Sequence, residues 1–140
     1  MTITTTMDCR LNLQGKEKKM TATMVKEPRL KKVFVCSPFR GIGHTEEDAK
    51  ENGRCNISLA KMVCRYITGK GYIPYCPHLY FPRFLIDSDK DERQMGMLMG
   101  QTWLAHGAEV WVIGRRIGEG IQREIDTAEK RGIPVKHYGL

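Results

Sequence analysis

The feature that most constrains this chain is an alternation along its length. Short apolar, β-branched runs are separated by longer stretches in which apolar residues recur at helical spacing. The first run is Val33-Phe34-Val35-Cys36, closed by Ser37-Pro38, the pattern of a buried strand entering a loop. A polar, Gly-punctuated stretch from Gly41 to Gly53 follows. The spacing then predicts a helix from about Asn52 to Thr68, with Ile57, Ala60, Val63, Cys64 and Ile67 on one face and Gly69 and Gly71 at its end. Tyr72-Ile73-Pro74-Tyr75 restarts as a strand, and its proline places it near a sheet edge. An aromatic loop from Pro77 to Leu85 leads to a second helix, about Asp91 to His106, whose Met95, Met97, Leu98, Met99 and Leu104 read as core filler. Glu109-Val110-Trp111-Val112-Ile113-Gly114 is the clearest strand. A third helix runs from about Glu119 to Arg131 with Ile121, Ile125 and Ala128 inward, and Gly132-Ile133-Pro134-Val135 turns into a last strand.

Strands alternating with helices imply an α/β class: a small doubly wound, Rossmann- or flavodoxin-like parallel sheet of four to five strands, with helices on both faces. The expected strand order is 2-1-3-4. Ligands then bind outside the carboxyl ends of the strands, where the first and third strands part. Those ends are Cys36-Ser37 and Ile113-Gly114, so the site is placed without any motif.

Charge narrows the functional classes. The net charge is +7, and residues 1–32 alone carry eight Lys and Arg against three acids. The basicity therefore belongs mostly to a leader, residues 1–30, expected to be flexible and to precede a folded unit over 31–140. Such a leader gives weak, salt-sensitive attraction to polyanions without sequence readout. Met7, Met20 and Met24 are possible alternative starts. No apolar run approaches the roughly 18 residues that a membrane span needs, and no secretory leader pattern is present, so a cytoplasmic setting is expected. Five cysteines without a Cys-x-x-Cys pair argue against a disulfide framework or a zinc knuckle and for reduced thiols. Cys76-Pro77-His78 lacks a second pair of ligands at sensible spacing, so no metal and no other cofactor is expected.

The loop after the first strand offers Ser37, Phe39, Arg40, Gly41 and Gly43: a hydroxyl, backbone N–H groups and a guanidinium suited to an anionic or polyhydroxyl ligand. It is neither Gly-x-Gly-x-x-Gly nor a P-loop, which argues against hydride transfer and ATP hydrolysis. After the third strand, Gly118 and Gly120 let the chain bend into the helix. Glu119 and Glu124 fall on different helix faces, since five residues rotate by about 500°. Glu124 lies beside the buried face set by Ile121 and Ile125, where a carboxylate can attack an anomeric carbon. The plain alternative is that both glutamates only complement the helix dipole. Tyr75, His78, Tyr80 and Phe81 can stack on a nucleobase or plug one end of the core.

Taken together, Ser37-Pro38-Phe39-Arg40-Gly41, the segment Gly118-x-Gly120-x-x-x-Glu124-Ile125-x-x-Ala128 and the closing Gly132-Ile133-Pro134-Val135 resemble the nucleoside 2-deoxyribosyltransferase-like superfamily, which includes deoxynucleoside-monophosphate N-glycosidases. The resemblance covers about residues 32–137. It implies cleavage or transfer at the N-glycosidic bond of a nucleoside or nucleoside monophosphate, with Glu124 as nucleophile. It also implies that Ser37, Arg40 and Gly41 hold a 5′-phosphate, although this loop is one residue longer than the family's. Homo-oligomers are common among the relatives and are expected here. One departure concerns the family's aspartate, set eight residues before an acidic position opening the third strand. With Glu109 as that position, its place is taken by Gln101, which cannot shuttle a proton. Asp91, Glu92 or His78 are the candidate substitutes. A non-catalytic nucleotide-binding module, a sensor or sequestering protein, is the competing expectation. A nucleic-acid accessory role rests on the basic leader alone.

Overall fold

The computed structural model describes residues 30–139. The proposed leader and the question of alternative starts lie outside these residues. The elements are β1 (Lys31–Cys36), α1 (Glu46–Gly69), β2 (Tyr72–Tyr75), a single-turn α2 (Pro77–Tyr80) continued by a 3₁₀ turn (Phe81–Arg83), α3 (Lys90–Ala105), β3 (Glu109–Ile113), α4 (Glu119–Lys130) and β4 (Val135–Tyr138). The four strands form one sheet in the order β2-β1-β3-β4. Every pairing is parallel, with Phe34 beside Tyr75 and Val110, and Val110 beside Val135. This is the doubly wound α/β fold expected from the alternation, with β2 at an edge.

Period-two alternation sends the side chains of β1 and β3 to two cores. Val33, Val35, Trp111 and Ile113 pack under α1 with Leu59, Ala60, Val63 and Ile67. Phe34, Cys36, Val110 and Val112 pack on the opposite face with Leu104 of α3 and Ile121, Ile125 and Ala128 of α4. A carboxylate also sits on the α1 side. Glu109 is buried and accepts a 2.7 Å hydrogen bond from Trp111 Nε1, while Lys136 Nζ lies 3.3 Å from its other oxygen. The acid at the start of β3 is thereby consumed in structure.

Three expectations are corrected. First, α1 begins at Glu46, about six residues before the expected start. Thr45 caps it by accepting from the Asp48 N–H, and Glu46, Glu47 and Asp48 fill its positive first turn. Gly53, which reads as loop punctuation, is instead a helix position, and the backbone beside it receives Gly41. Gly41 packs there so closely that a Cβ on Gly41 would lie 1.6 Å from the Ala49 carbonyl oxygen. Packing on the sheet sets the inward face to Asn52, Cys55, Asn56, Leu59, Ala60, Val63 and Ile67, and leaves Ile57 exposed. Second, the methionine-rich helix is not core throughout. Only Gly100 and Leu104 of α3 are buried, and Met95 and Leu98 are each 52% exposed. Third, the reduced-thiol expectation holds for Cys36, Cys64 and Cys76, whereas Cys55 is disulfide-bonded. No helix among the described residues is long and apolar enough to cross a membrane.

The close approach of Gly41 to α1 yields a test. Gly41→Ala is expected to cost about 1–3 kcal/mol through overpacking, lowering Tm by roughly 5–15 °C. Gly120→Ala, where an added Cβ meets nothing within 4 Å, should leave Tm within a few degrees. Thermal melts of the two variants check the contrast.

Candidate functional site

A cavity of about 620 Å³ opens at the carboxyl ends of β1 and β3. Its position follows from the topology. The chain leaving β1 turns toward α1, the chain leaving β3 turns toward α4 on the other face, and the two loops part. The β1 loop, the start of α2, the inner side of α3 and the first turn of α4 form its walls.

Side chains of α1 fix the β1 loop. The Ile42 N–H donates to Asn52 Oδ1 at 3.0 Å, and Asn56 Nδ2 donates to the Arg40 carbonyl at 3.3 Å and toward the Phe39 carbonyl at 3.5 Å. Both asparagines are buried, line the cavity and join each other at 3.4 Å. Sequence reasoning missed them. The available signal was an i, i+4 polar pair sharing a helix face with Ala60, Val63 and Ile67, inside the helix expected from Asn52, but polar side chains do not read as an inner face. Gly41 serves the same anchoring: it packs on α1 and does not line the cavity. Gly114, at φ +95°, turns the β3 exit in the left-handed region that glycine favours, and an added Cβ there would meet Pro38.

Ser37, Phe39, Arg40, His78, Gly118, Gly120 and Glu124, named from the sequence, all line the cavity. Their states differ. Ser37 is fully buried, with Oγ 3.7 Å from Cys76 Sγ, so its hydroxyl is engaged at the end of β2. Cys64 in turn hydrogen-bonds Cys76, lowering the Cys76 thiol and raising its own. Arg40 reaches across the mouth to Asp87 at 3.3 Å, an exposed and therefore weak pair. An anion entering here meets a guanidinium whose present partner is easily replaced. Arg93 and Arg116 also line the cavity. The first turn of α4, starting at Gly118 without a side-chain cap, presents its N–H groups on the same side.

Glu124 is the cavity-lining carboxyl with a buried, unmatched oxygen, Oε2. Burial raises its carboxyl from an ordinary value near 4.5 to about 7, against a smaller opposing effect of the Cys36 thiol beneath it. Burial, and then the Glu124 charge, push the Cys36 thiol well above its usual range. The carboxyl is therefore partly ionised at neutral pH. His78 is the second unmatched group. Its Nδ1 is buried without a partner, its ring lies 4.9 Å from that of Phe39, and burial lowers it to about 4.

Of the proton-transfer candidates, Glu92 lines the cavity and Asp91 does not; Asp91 stays exposed in the first turn of α3, its N–H bonded to Asp89. Gln101 also lines it, at the place read as the missing aspartate. Phe81 contributes to the wall, but Tyr75 and Tyr80 pack on Trp103, Tyr80 stacked at 5.5 Å and 26°. Of the aromatic loop, Phe81 is buried while Tyr80 and Phe84 stay about half exposed, and its first residues are helical. His44 is exposed and outside the cavity. Among the described residues, no group of three His, Cys, Asp or Glu side chains is placed to hold a metal ion.

Fold and cavity together define a small, doubly wound α/β protein with a crevice at its topological switch point and a carboxyl with a buried oxygen lining it. The chain belongs to the family described as a domain of unknown function (DUF7768), whose model matches residues 31–138. No curated protein and no solved structure matches the chain.

The raised Glu124 carboxyl links to stability. Its folded value lies above its unfolded value, so the contribution is fully present below about pH 4.5 and is lost as pH rises through about 7. Glu124→Gln removes that titration. The variant is expected to gain up to about 3 kcal/mol over wild type between pH 4 and pH 8. Denaturant unfolding at the two pH values measures the difference.

Proposed function

We propose that this protein cleaves or transfers the N-glycosidic bond of a nucleoside or nucleoside monophosphate, with Glu124 as nucleophile. The observation carrying the proposal is the Glu124 carboxyl, buried and with Oε2 unpartnered, in a cavity that Arg40, Arg116 and the uncapped start of α4 also line. Attack of the carboxylate on the anomeric carbon forms a glycosyl-enzyme ester, and the bonding pair of the C–N bond leaves with the base. Water or a second base then displaces the carboxylate. Glu92 is the cavity-lining carboxyl that remains to deliver a proton to the departing base. Burial favours this step because an ionised, poorly solvated carboxylate next to a developing positive sugar is more strongly attracted there than in water. Arg40 and the α4 N-terminus would receive a 5′-phosphate or sugar hydroxyls, and the Phe39 and His78 rings one face of the base. A cytoplasmic setting and self-association belong to the same proposal. Exposed Tyr80, Phe84, Ile86, Met95 and Leu98 offer an apolar surface for the latter.

One observation favours a second reading. Gln101 lines the cavity where the resembling superfamily places an aspartate, so a nucleotide-binding module without turnover retains every contact except the chemistry.

The test is a panel of nucleosides and nucleoside monophosphates, with free base followed by chromatography. Wild type is expected to release base from at least one member, with kcat/KM rising through about pH 7 as Glu124 ionises. Glu124→Ala and Glu124→Gln should lose about a hundredfold or more. Absence of release across the panel, with one member still raising Tm in wild type and variant alike, supports the binding module instead. Arg40→Ala should raise KM about tenfold for monophosphates and much less for nucleosides, a split that steady-state kinetics on matched pairs reads directly.

A further inference from the structure

We propose that Cys64 and Cys76 form a thiol–disulfide exchange site, which takes a small disulfide of the glutathione class and closes an internal Cys64–Cys76 bridge. Both cysteines are free thiols. Cys64 belongs to α1, Cys76 follows β2 directly, and the two thiols hydrogen-bond each other. Cys76 is buried in the core between α1 and the sheet, and Cys64 packs against that core. Neither residue lines the cavity, so the pair stands apart from the nucleotide reading.

Burial divides the roles. Cys64 keeps part of its surface in solvent, and in the middle of a helix that surface belongs chiefly to the short side chain. Cys76 is only 6% exposed and acts from within, on a sulfur already bound to Cys64. The other cysteines among the described residues differ. Cys36 is fully buried, and burial, then the Glu124 charge, hold its thiol well above the usual range. Cys55 is disulfide-bonded. Contact between the pair also supplies the thiolate that exchange requires. The hydrogen bond from Cys64 lowers the Cys76 thiol against its burial, and the Ser37 hydroxyl, 3.7 Å away, adds to this. The same bond, and then burial, raise Cys64. Two such sulfurs titrate together: one proton leaves more easily than from a lone buried thiol, and the other is retained between them. The retained proton lets either sulfur carry the negative charge.

In the first step the Cys64 thiolate attacks one sulfur of the small disulfide. That S–S bond breaks, and its electron pair leaves with the second sulfur as a thiolate. The Cys76 thiolate then attacks the Cys64 sulfur of the mixed disulfide, forms the internal S–S bond and expels the second small thiolate. The protons lost by Cys64 and Cys76 end on the two released thiols. The two electrons given up by the cysteines reduce the small disulfide. The new bond needs an S–S distance of about 2 Å, a short approach for sulfurs already in hydrogen-bond contact.

The test incubates the full chain with glutathione and glutathione disulfide at a fixed ratio, then quenches with acid, alkylates and maps peptides by mass spectrometry. Wild type is expected to carry the Cys64–Cys76 bridge, with a glutathione adduct below about a tenth of it, because the neighbouring thiol outcompetes dissolved glutathione. One bridge releases two thiols. Diluting total glutathione tenfold at the fixed ratio should therefore raise the ratio of bridged to reduced protein about tenfold, whereas a simple adduct would not respond. Cys76→Ser removes the second nucleophile and should trap the adduct on Cys64. Cys64→Ser should leave Cys76 unmodified. Melts of both variants confirm folding, and the dilution test needs wild type alone. A stable adduct on Cys64 in wild type without a bridge overturns the proposal. So do two thiols still reduced in excess glutathione disulfide, a bridge from either residue to another cysteine, or an adduct on Cys76 in Cys64→Ser.

Discussion

The parting of the chain at the ends of β1 and β3 is the constraint on which the rest of the structure depends. In a parallel sheet of order β2-β1-β3-β4, the connections leaving the two central strands run to helices on opposite faces. No backbone bridges the gap between them, and a crevice is unavoidable. What the sequence adds is its lining. Ile121 and Ile125 seat α4 against the sheet, and this seating carries Glu124 to the cavity and out of reach of water at Oε2. Desolvation then outweighs the single weak thiol hydrogen bond, and the carboxyl rises to about 7.

A second constraint keeps the cavity open. The β1 loop does not collapse into the gap because it lies down on α1 instead. Gly41 against the backbone of Ala49 and Gly53, and the amide bonds of Asn52 and Asn56, draw the loop onto the helix. Phe39 and Arg40 are left facing the crevice. Two unmatched polar atoms, on Glu124 and His78, remain in a wall where the other buried polar side chains are paired, as for Asn52, Asn56 and Ser37. Buried polar groups are ordinarily satisfied within the protein, and the clustering of these two in one cavity is what supports the functional proposal.

The architecture was legible because both periodicities were clean. Val33 to Cys36 and Val110 to Ile113 alternate between two cores, and Ile121, Ile125 and Ala128 hold one helix face. Strand order and the crevice followed from general topology. The start of α1 was not read, since Gly53 inside the helix extends the punctuation of the true loop glycines Gly41 and Gly43, and what those two mark is a close approach of the loop to the helix backbone. That contact is tertiary, and local patterns do not encode it. Asn52 and Asn56 lie inside the helix as expected from the sequence, but their bonds to the β1 loop are tertiary as well, so polar character alone did not mark them as inward. Met95 and Leu98 misled differently, because apolar character on a helix says nothing about whether a neighbour in the same chain covers it. Of the site, the residues on the two loops were legible from position. Burial of Glu124 and the engagement of Ser37 with Cys76 emerge only from packing.

The most direct test of the account is the ionisation of Glu124 itself. Carbon-13 labelling of glutamate side chains, with Glu124→Gln used to assign the resonance, allows its carboxyl to be titrated by NMR. The account requires a midpoint near 7, displaced by burial in the cavity. A midpoint near the ordinary 4.5 would mean that water reaches the carboxyl freely, and would contradict the buried, poised group from which the functional reading is built.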